Sequence, residues 1–260
     1  MHAPLPVSVL LLARDEAARL DRLLPALACA REVVVVDAAS RDGTRAVAER
    51  HGARVFERPL DGFGAQRQFA LAQCHEPWVL WIDADETLDA RALHSIPGAV
   101  GSPSANAYRW ERRTWFLGQP IRHCGWRGER VTRLFQRNAA RFDAAPVHER
   151  LLIDGATRDL RGLIEHRSYE TWGDCRDKLV RYAAAGAEKA RRQGRRAGPL
   201  DLALRPPLRF LRMYVLQLGF LDGPRGLAVC LLAAAQVFLK YAELWVHARA
   251  GAEVRKAAPP

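Results

Sequence analysis

Acidic side chains directly follow two apolar runs that are typical of buried strands. Asp37 follows the β-branched run 33–36, and Asp83-Ala84-Asp85-Glu86 follows the run 78–82. In open α/β sheets, ligands bind outside the carboxyl ends of the strands, so these acids are expected to face one crevice. Carboxylate oxygens are ligands that Mg²⁺ and Mn²⁺ prefer. The Asp-x-Asp turn therefore predicts a site in which one carboxylate reaches a divalent metal and the other binds a sugar hydroxyl.

The same turn has a purely structural interpretation. An aspartate at the start of a helix commonly accepts a hydrogen bond from a backbone amide of the first turn. Asp85 or Asp89 would then serve only to cap the helix that follows. The spacing of the acids leaves both interpretations open.

Strand and helix signals alternate over the first hundred residues. Apolar runs at residues 7–13, 33–36, 54–56 and 78–82 predict four strands, and segments with helical spacing or capping residues separate them. Parallel strands need such crossovers, so the pattern predicts a mostly parallel sheet with flanking helices. Short aromatic-rich strands are expected over 105–170. Helices are expected at 174–193, 202–219 and 226–248, which predicts an α/β domain over 1–170 and a helical region over 171–260.

The positive charge is concentrated in the helical region. The chain has 260 residues and a formal net charge of +11, and residues 176–225 contain twelve basic and four acidic side chains, a net +8. Such an excess suggests an anionic partner, although a GC-rich genome would also enrich a chain in arginine. The first two-thirds of the chain is close to neutral.

The cysteines and apolar runs indicate the compartment. The five cysteines, at 29, 74, 124, 175 and 230, are widely spaced and contain no C-x-x-C pair, which favours a reducing compartment. The run at 7–13 has no basic segment before it and is interpreted as a strand rather than a leader. The longest apolar stretch, 227–239, is shorter than the roughly 20 residues of a membrane span and predicts a core or interfacial helix. We therefore expect a cytoplasmic protein.

Four motifs in order resemble the family-2 inverting glycosyltransferases. They are residues 9–16 (VLLLARDE), 34–44 (VVVDAASRDGT), 62–68 (GFGAQRQ) and 81–86 (WIDADE). The resemblance implies the GT-A fold, an α/β fold that binds nucleotide sugars. Two positions depart from the usual pattern, because Asp15 stands where Asn is common and Ala38-Ala39-Ser40 stands where Ser-Gly-Ser is common.

Further motifs resemble one subgroup, the lipopolysaccharide-core glucosyltransferases, which attach β-linked glucose to an inner-core heptose. They are residues 133–135, 147–149, 166–169, 220–223 and 238–241. The resemblance implies a UDP-sugar donor, with UDP-glucose expected, a Mg²⁺ or Mn²⁺ ion and a lipid-anchored saccharide acceptor. It also implies that Asp83 contacts the ribose or the diphosphate and that Asp37 and Glu16 hold the nucleoside.

The chemistry of sugar transfer assigns the remaining roles. The leaving nucleoside diphosphate gains negative charge, which a bound metal stabilises, and Asp85 is the expected metal ligand. Arg67 is either a donor to the phosphates or a solvated arginine on the face of its helix.

Inversion also needs a base for the acceptor hydroxyl. Glu149 is the candidate base, and His148 is a candidate second metal ligand or acceptor contact. Glu111 and Asp143 are rival bases, and a His-Glu pair in a loop also occurs for structural reasons alone.

The cationic helical region predicts contact with an anionic membrane surface. Residues 208–221 carry Arg209 and Arg212 among apolar side chains, which is typical of an interfacial helix. A helical cap that displays its arginines to solvent is the alternative. The expected location is peripheral, at the inner face of the cytoplasmic membrane.

Other classes of protein fit the sequence less well. A nucleotidyltransferase would carry a Gly-rich loop after the first strand, where Arg14-Asp15-Glu16 stands. A dinucleotide-binding oxidoreductase would carry a third glycine where Arg67 stands. A basic nucleic-acid-binding protein would show a known reader motif, and the sequence contains none, so no nucleic-acid partner is expected.

Overall fold

The first four strands of the chain form the parallel part of the main sheet. The computed structural model describes residues 3–143 and 150–257, and side chains as far as residue 248. The first strand along the chain pairs with the second and the fourth, and the second pairs with the third, all in parallel. The strands are β1 (Leu5–Ala13), β2 (Ala30–Asp37), β3 (Arg54–Glu57) and β4 (Trp78–Trp81). β1 and β4 are buried for most of their length, as their unbroken apolar runs predict.

Helical crossovers connect these strands as the sequence predicts. They are α1 (Ala17–Leu23), α2 (Thr44–Arg50) and α3 (Phe63–Gln73), and α4 (Ala90–Gly101) follows the fourth strand and the short strand β5 (Glu86–Leu88). A 3₁₀ turn, Leu24–Leu27, follows α1 and ends the predicted first helix. Pro25 lies inside this turn, and its missing N–H and fixed φ explain why the α-helix does not continue.

Antiparallel strands extend the sheet beyond β4. The added strands are β6 (Ala107–Phe116), β7 (Gln119–Pro120), β8 (Arg130–Gln136) and β11 (Thr157–Tyr169). The strand order is β3-β2-β1-β4-β8-β6-β11-β5, and β7 pairs with β6 at the side. A separate hairpin pairs β9 (Ala140–Phe142) with β10 (Leu151–Ile153). The mixed α/β fold class is confirmed, and β6 and β11 are longer than the short strands that the sequence predicts.

Each face of the sheet is covered by its own apolar cluster. One cluster joins alternate residues of β1 to α1 and α4, and it includes Val9, Leu11, Leu20 and Ile96. The other joins Leu10 and Val34 to α3 and to Phe142 of the hairpin. Successive strand residues point to opposite faces, so one continuous apolar run supplies both clusters. Tyr108 and Trp110 are also buried side chains of the first cluster.

The chain divides into two units, and the division differs from the predicted boundary near residue 170. Unit 1 contains residues 1–112 and 128–166, and unit 2 contains residues 113–127 and 167–260. The second unit includes α5 (Trp172–Arg192), α6 (Pro199–Leu211) and α7 (Gly223–Ala257). Residues 113–127 belong with these helices because Phe116, Ile121 and Cys124 share an apolar cluster with Met213 and Cys230.

The helices of unit 2 end differently from the prediction. The expected helix over 202–219 is α6 followed by a π-helical turn, Arg212–Leu216, and by a 3₁₀ turn, Gly219–Asp222. The third helix is longer than expected. Among the described residues, the segment Gly219–Ala248 is the one helical segment long and apolar enough to cross a membrane, a test that core helices also pass.

Candidate functional site

Hydrogen bonds join the turns that follow β1 and β2. The Glu16 amide donates to the Thr44 hydroxyl at 2.8 Å, and the Asp15 carboxylate accepts from the Arg41 amide at 2.7 Å. Asp15 has φ +55°, a conformation that aspartate and asparagine adopt more readily than other side chains, so aspartate can replace the usual asparagine here. Ala39, with φ +57°, carries the left-handed strain that glycine would avoid.

The two candidate nucleoside-binding acids lie at these turns. Asp37, at the end of β2, is buried, and its carboxylate accepts from the amide of Ser40 at 3.3 Å and from its hydroxyl. Glu16 forms an ion pair with Arg19 at 3.0 Å. The structure thus places Asp37 at the end of β2 and Glu16 in the turn after the neighbouring parallel strand β1, both at the carboxyl edge of the sheet.

The Asp-x-Asp sequence forms a tight turn between β4 and β5. The Glu86 amide donates to the Asp83 carbonyl at 2.9 Å, and the Asp83 amide donates to the Glu86 carboxylate at 3.3 Å. Asp89, the residue directly after β5, caps α4: its side chain accepts a hydrogen bond from the Ala92 amide at 2.7 Å. The capping role is therefore performed by Asp89 rather than by Asp85.

Arg133 of β8 holds two of the acids in this turn. Its Nη2 lies 2.7 Å from Asp83 Oδ2 and 2.7 Å from Glu86 Oε1, and both Arg133 and Glu86 are buried. Burial alone would lower the pKa of Arg133, but the carboxylates of Glu86 and Asp83 outweigh it and raise the pKa above its ordinary value. Arg112 adds a second cation 3.6 Å from Glu86 Oε1.

Arg67 lies beside Asp83 and Arg133 and packs on an aromatic ring. Its Cζ is 4.4 Å from the centre of the Trp81 ring, and Arg133 Cζ is 4.1 Å from the same ring. Arg67 Nη2 lies 3.6 Å from Asp83 Oδ1, and the side chain is 12% exposed, so it is not a solvated helix-face arginine. Burial, together with the nearby charge of Arg133, lowers the pKa of Arg67. Asp83 therefore lies between two guanidinium groups.

Asp85 pairs with a histidine from a distant strand. Its Oδ2 lies 3.3 Å from Nε2 of His166 in β11, and the two side chains are 19% and 17% exposed. The strand pairing brings them together, because His166 is in register with Glu86 of β5. An aspartate oxygen suits Mg²⁺ and Mn²⁺ alike, whereas an imidazole nitrogen is a ligand of transition metals, so the pair at this partly open position suits Mn²⁺ better than Mg²⁺.

The donor set fits a metal that shares its coordination with a substrate. The described residues contain no cluster of three or more histidine, cysteine, aspartate or glutamate side chains suited to a metal ion. Mg²⁺ and similar ions at phosphate-transfer sites typically use one or two carboxylates plus substrate phosphates. A two-ligand pair such as Asp85 and His166 therefore fits a metal–diphosphate site better than a closed structural site.

The predicted catalytic residues Glu149 and His148 lie outside the described residues. On either side of that segment, Phe142 pairs with Leu151, and the Asp143 carboxylate accepts from the Arg150 amide at 2.7 Å. The Phe142 ring lies 5.1 Å from the Trp81 ring in an edge-to-face arrangement. The hairpin that flanks the segment is thus packed on the residue that also holds Arg67 and Arg133.

The rival base Glu111 lies in another part of unit 1. It lines a cavity of about 920 Å³ with His94 and Ser95 of α4, and with Arg130, Asp159 and neighbouring residues of β8 and β11. The acids of the Asp-x-Asp turn are not part of this lining.

Residues 8–143 match the family described as glycosyl transferase family 2. The chain belongs to this family. It is therefore a glycosyltransferase, and the choice between an enzyme and a nucleic-acid-binding module is decided for the enzyme. The GT-A fold expected from the four sequence motifs is confirmed with it.

Individual relatives extend the similarity beyond the matched domain. The chain is 29% identical to the lipopolysaccharide core biosynthesis glycosyltransferase LpsC of Rhizobium meliloti, over 93% of this chain and 95% of that protein. It is 31% identical to an uncharacterised glycosyltransferase of Mycobacterium bovis, over 69% of this chain and 80% of that protein. Mannosyl-3-phosphoglycerate synthase from Rubrobacter xylanophilus is similar in structure, with a TM-score of 0.45 and 19% identity over 74% of this chain and 76% of that chain.

The structure adds residues that the spacing of motifs did not single out as site residues. Arg133, Arg112 and Trp81 surround Asp83 and Glu86, and His166 pairs with Asp85. Arg133 and His166 lie in segments that resemble the lipopolysaccharide-core subgroup, so the resemblance was a signal for them. Their roles were not readable because their partners are far away along the chain.

Proposed function

We propose that the chain transfers glucose from UDP-glucose, with inversion, to an inner-core heptose of lipopolysaccharide or to a similar lipid-anchored saccharide. The main support for this proposal is that Asp85, which pairs with His166, lies in the same turn as Asp83, which binds Arg133. The turn therefore combines possible metal ligands with a cation at the carboxyl edge of the sheet. The similarity to LpsC over 93% of the chain supports the choice of acceptor.

In the proposed mechanism, Asp85 and His166 would hold a Mg²⁺ or Mn²⁺ ion, and this ion would supply positive charge to offset the negative charge of a departing nucleoside diphosphate. Arg67 donates to the phosphates, and its position is fixed by Trp81 and Asp83. Asp83 orients the ribose or the diphosphate, while Asp37 and Glu16 hold the nucleoside. The buried Trp81 Nε1 and Arg133 Nε have no acceptor within the described part of the chain, which is compatible with an acceptor-rich ligand nearby.

The acceptor hydroxyl must lose a proton as it attacks the anomeric carbon opposite the leaving group. We propose Glu149 as the base and His148 as an acceptor contact. The packing of the flanking Phe142 against Trp81 supports a role for this segment near the donor. Of the two rivals, Asp143 is occupied with the Arg150 amide and Glu111 lines a different cavity.

The donor and acceptor are tested with a panel of nucleotide sugars. Purified protein is incubated with UDP-glucose, UDP-galactose, GDP-mannose or ADP-heptose and with lipopolysaccharide truncated at the inner core, and nucleotide release is measured with Mn²⁺ or with EDTA. Release from UDP-glucose alone, with a β-linked product, is expected. Preferred release from another donor would replace the proposal with its alternative, another nucleotide-sugar transferase of cell-envelope polysaccharide synthesis.

The metal assignment predicts a loss of activity in Asp85→Asn and His166→Ala. Each removes one of the two side chains that we propose as metal ligands among the described residues, so kcat/KM should fall roughly 100-fold or more. Asp154→Asn is the matched control, because Asp154 is an exposed acid that pairs with Arg141. Binding of Mn²⁺ with UDP, followed by calorimetry, should weaken in both site variants and remain unchanged in the control. Wild-type activity in Asp85→Asn would remove this aspartate from the metal site.

A further inference from the structure

The exposed apolar side chains of this protein are concentrated in unit 2. Of the eighteen large hydrophobic side chains that are exposed among the described residues, sixteen lie in unit 2. The two in unit 1 are Leu60 and Phe63. Scattered exposed hydrophobic residues are ordinary, but a concentration of this kind marks an interaction surface.

Helix α6 carries the most regular part of this surface. Leu200, Leu204, Leu208 and Leu211 follow the i, i+4, i+8, i+11 spacing, and Val215 in the π-helical turn continues it; these five residues are called the α6 stripe. Residues at this spacing lie on one face of a helix. Their exposed fractions range from 49% to 74%, so no other part of the described chain covers them.

The opposite side of α6 is already used for packing. Phe210 and Tyr214 stack on each other at 5.1 Å and pack against the cluster that contains Met213, Val229 and Cys230. Arg205 Cζ lies 4.7 Å from the centre of the Tyr241 ring of α7. Because α6 is anchored through these contacts, the stripe is not needed to hold unit 2 together.

Basic side chains border the stripe. Arg212 is exposed and follows Leu208 by four residues, so it lies beside the stripe, whereas the exposed Arg209 lies on another face of the helix. Arg195 and Arg196, just before α6, are exposed as well. An apolar helix face with arginines beside it is the pattern of a helix that lies in a membrane interface and attracts anionic lipids.

We infer that the α6 stripe inserts into the headgroup–acyl boundary of an anionic lipid bilayer, with Arg212 on the lipid phosphates and Arg195 and Arg196 near them. The occupant is a lipid surface rather than a second copy of the chain. In a two-fold dimer the same surface meets itself, so the positive side chains beside the stripe would face a surface that carries the same positive charge. Membrane binding of this kind rests on the proposed function for its biological purpose. An enzyme that acts on a lipid-anchored acceptor has to work at the membrane surface.

The test is binding of the full-length protein to vesicles of phosphatidylcholine with or without phosphatidylglycerol. Leu204→Gln/Leu208→Gln should lower partitioning to the anionic vesicles roughly tenfold or more, because both leucines lose their apolar burial. Arg195→Gln/Arg196→Gln/Arg212→Gln should cause a similar loss on anionic vesicles and little change on neutral ones. The matched controls in unit 1 are Leu60→Gln and Arg158→Gln, which alter an exposed leucine and an exposed arginine and should bind as wild type.

Two further measurements separate the alternatives. Sedimentation velocity reports the oligomeric state, and a wild-type dimer that becomes a monomer in the leucine variant, without a change in vesicle binding, would overturn the inference in favour of self-association. Retention in membranes after alkaline carbonate treatment, equal in all variants, would instead assign the attachment to the long apolar helix α7. Circular dichroism verifies that each variant is folded.

The vesicle-binding result and the sugar-transfer result can fail separately. Sugar transfer to a soluble, delipidated acceptor should survive in the leucine variant, because the α6 stripe does not include the Asp85–His166 site. Vesicle binding without any transfer would refute the proposed function alone. Transfer with no vesicle binding by the wild type would refute this inference alone.

Discussion

At the scale of single residues, Arg133 organises the candidate site. It connects Asp83 and Glu86 through one Nη2 atom and lies over Trp81, which also positions Arg67. A buried carboxylate such as Glu86 needs a cation, since an unpaired charge in the interior is strongly unfavourable. Asp83 and Glu86 are paired with Arg133, and Asp85 of the same turn meets the imidazole of His166.

Replacing Arg133 by glutamine should therefore destabilise the protein as well as the site. The change leaves Glu86 buried without its principal cation, and the free energy of unfolding should fall by about 3–5 kcal/mol. Urea unfolding followed by circular dichroism measures the difference. Arg130→Gln, on the same strand but exposed, is the control and should cost about 1 kcal/mol or less. Equal unfolding midpoints for the two variants would contradict the proposed organisation.

At the scale of elements, β11 positions both His166 and the start of α4. The Asp89 amide, just before α4, donates to the Leu163 carbonyl at 3.0 Å, and Gly162 has φ +108°. A Cβ atom on Gly162 would lie 2.2 Å from the backbone nitrogen of Ala92. The close approach of strand and helix therefore depends on the missing side chain.

Gly162→Ala should loosen this contact. The clash is with backbone atoms, which cannot rotate away, and the φ value adds strain, so a loss of about 3 kcal/mol in the free energy of unfolding is expected. Gly98→Ala is the control, because a Cβ there meets no atom within 4 Å in the middle of α4. That control should leave stability unchanged or raise it by about 0.5–1 kcal/mol. Thermal unfolding of the two variants gives the comparison, and an unaffected Gly162→Ala would show that β11 can shift.

At the scale of the whole molecule, the cysteines are distributed among separate cores. Cys74 is buried in unit 1, and Cys124, Cys175 and Cys230 are buried in unit 2, whereas Cys29 is exposed. Burial raises the pKa of the Cys74 thiol to about 12, which suppresses its reactive thiolate form. All five thiols are free.

Thiol titration with Ellman's reagent should therefore distinguish one cysteine from the others. In the native protein one equivalent, Cys29, should react rapidly at neutral pH, and in denaturant all five should react. Cys29→Ser should remove the fast phase without changing the number of slow thiols. Two or more fast equivalents in the folded wild type would contradict the burial of these residues.

The sequence alone predicted most of unit 1 and the family. Apolar runs that end in acids, with helical spacing between them, are local signals, so β1 to β4 and their crossovers were readable. The antiparallel strands were harder, because arginines interrupt the apolar pattern of β6 and β11. Helix α6 was placed too far along the chain, since periodicity does not show where a π-helical turn replaces the regular helix.

Pairing and exposure were decided only by the tertiary structure. Arg133 lies 50 residues from Asp83 along the chain, and they meet because β8 is hydrogen-bonded beside β4. His166 reaches Asp85 because β11 pairs with β5. The leucines of the α6 stripe look in sequence like any amphipathic helix, and packing alone shows which apolar face is left uncovered. Local patterns fix which residues form strands and helices, whereas the partners of a charged or apolar side chain depend on neighbours that the chain brings from far away.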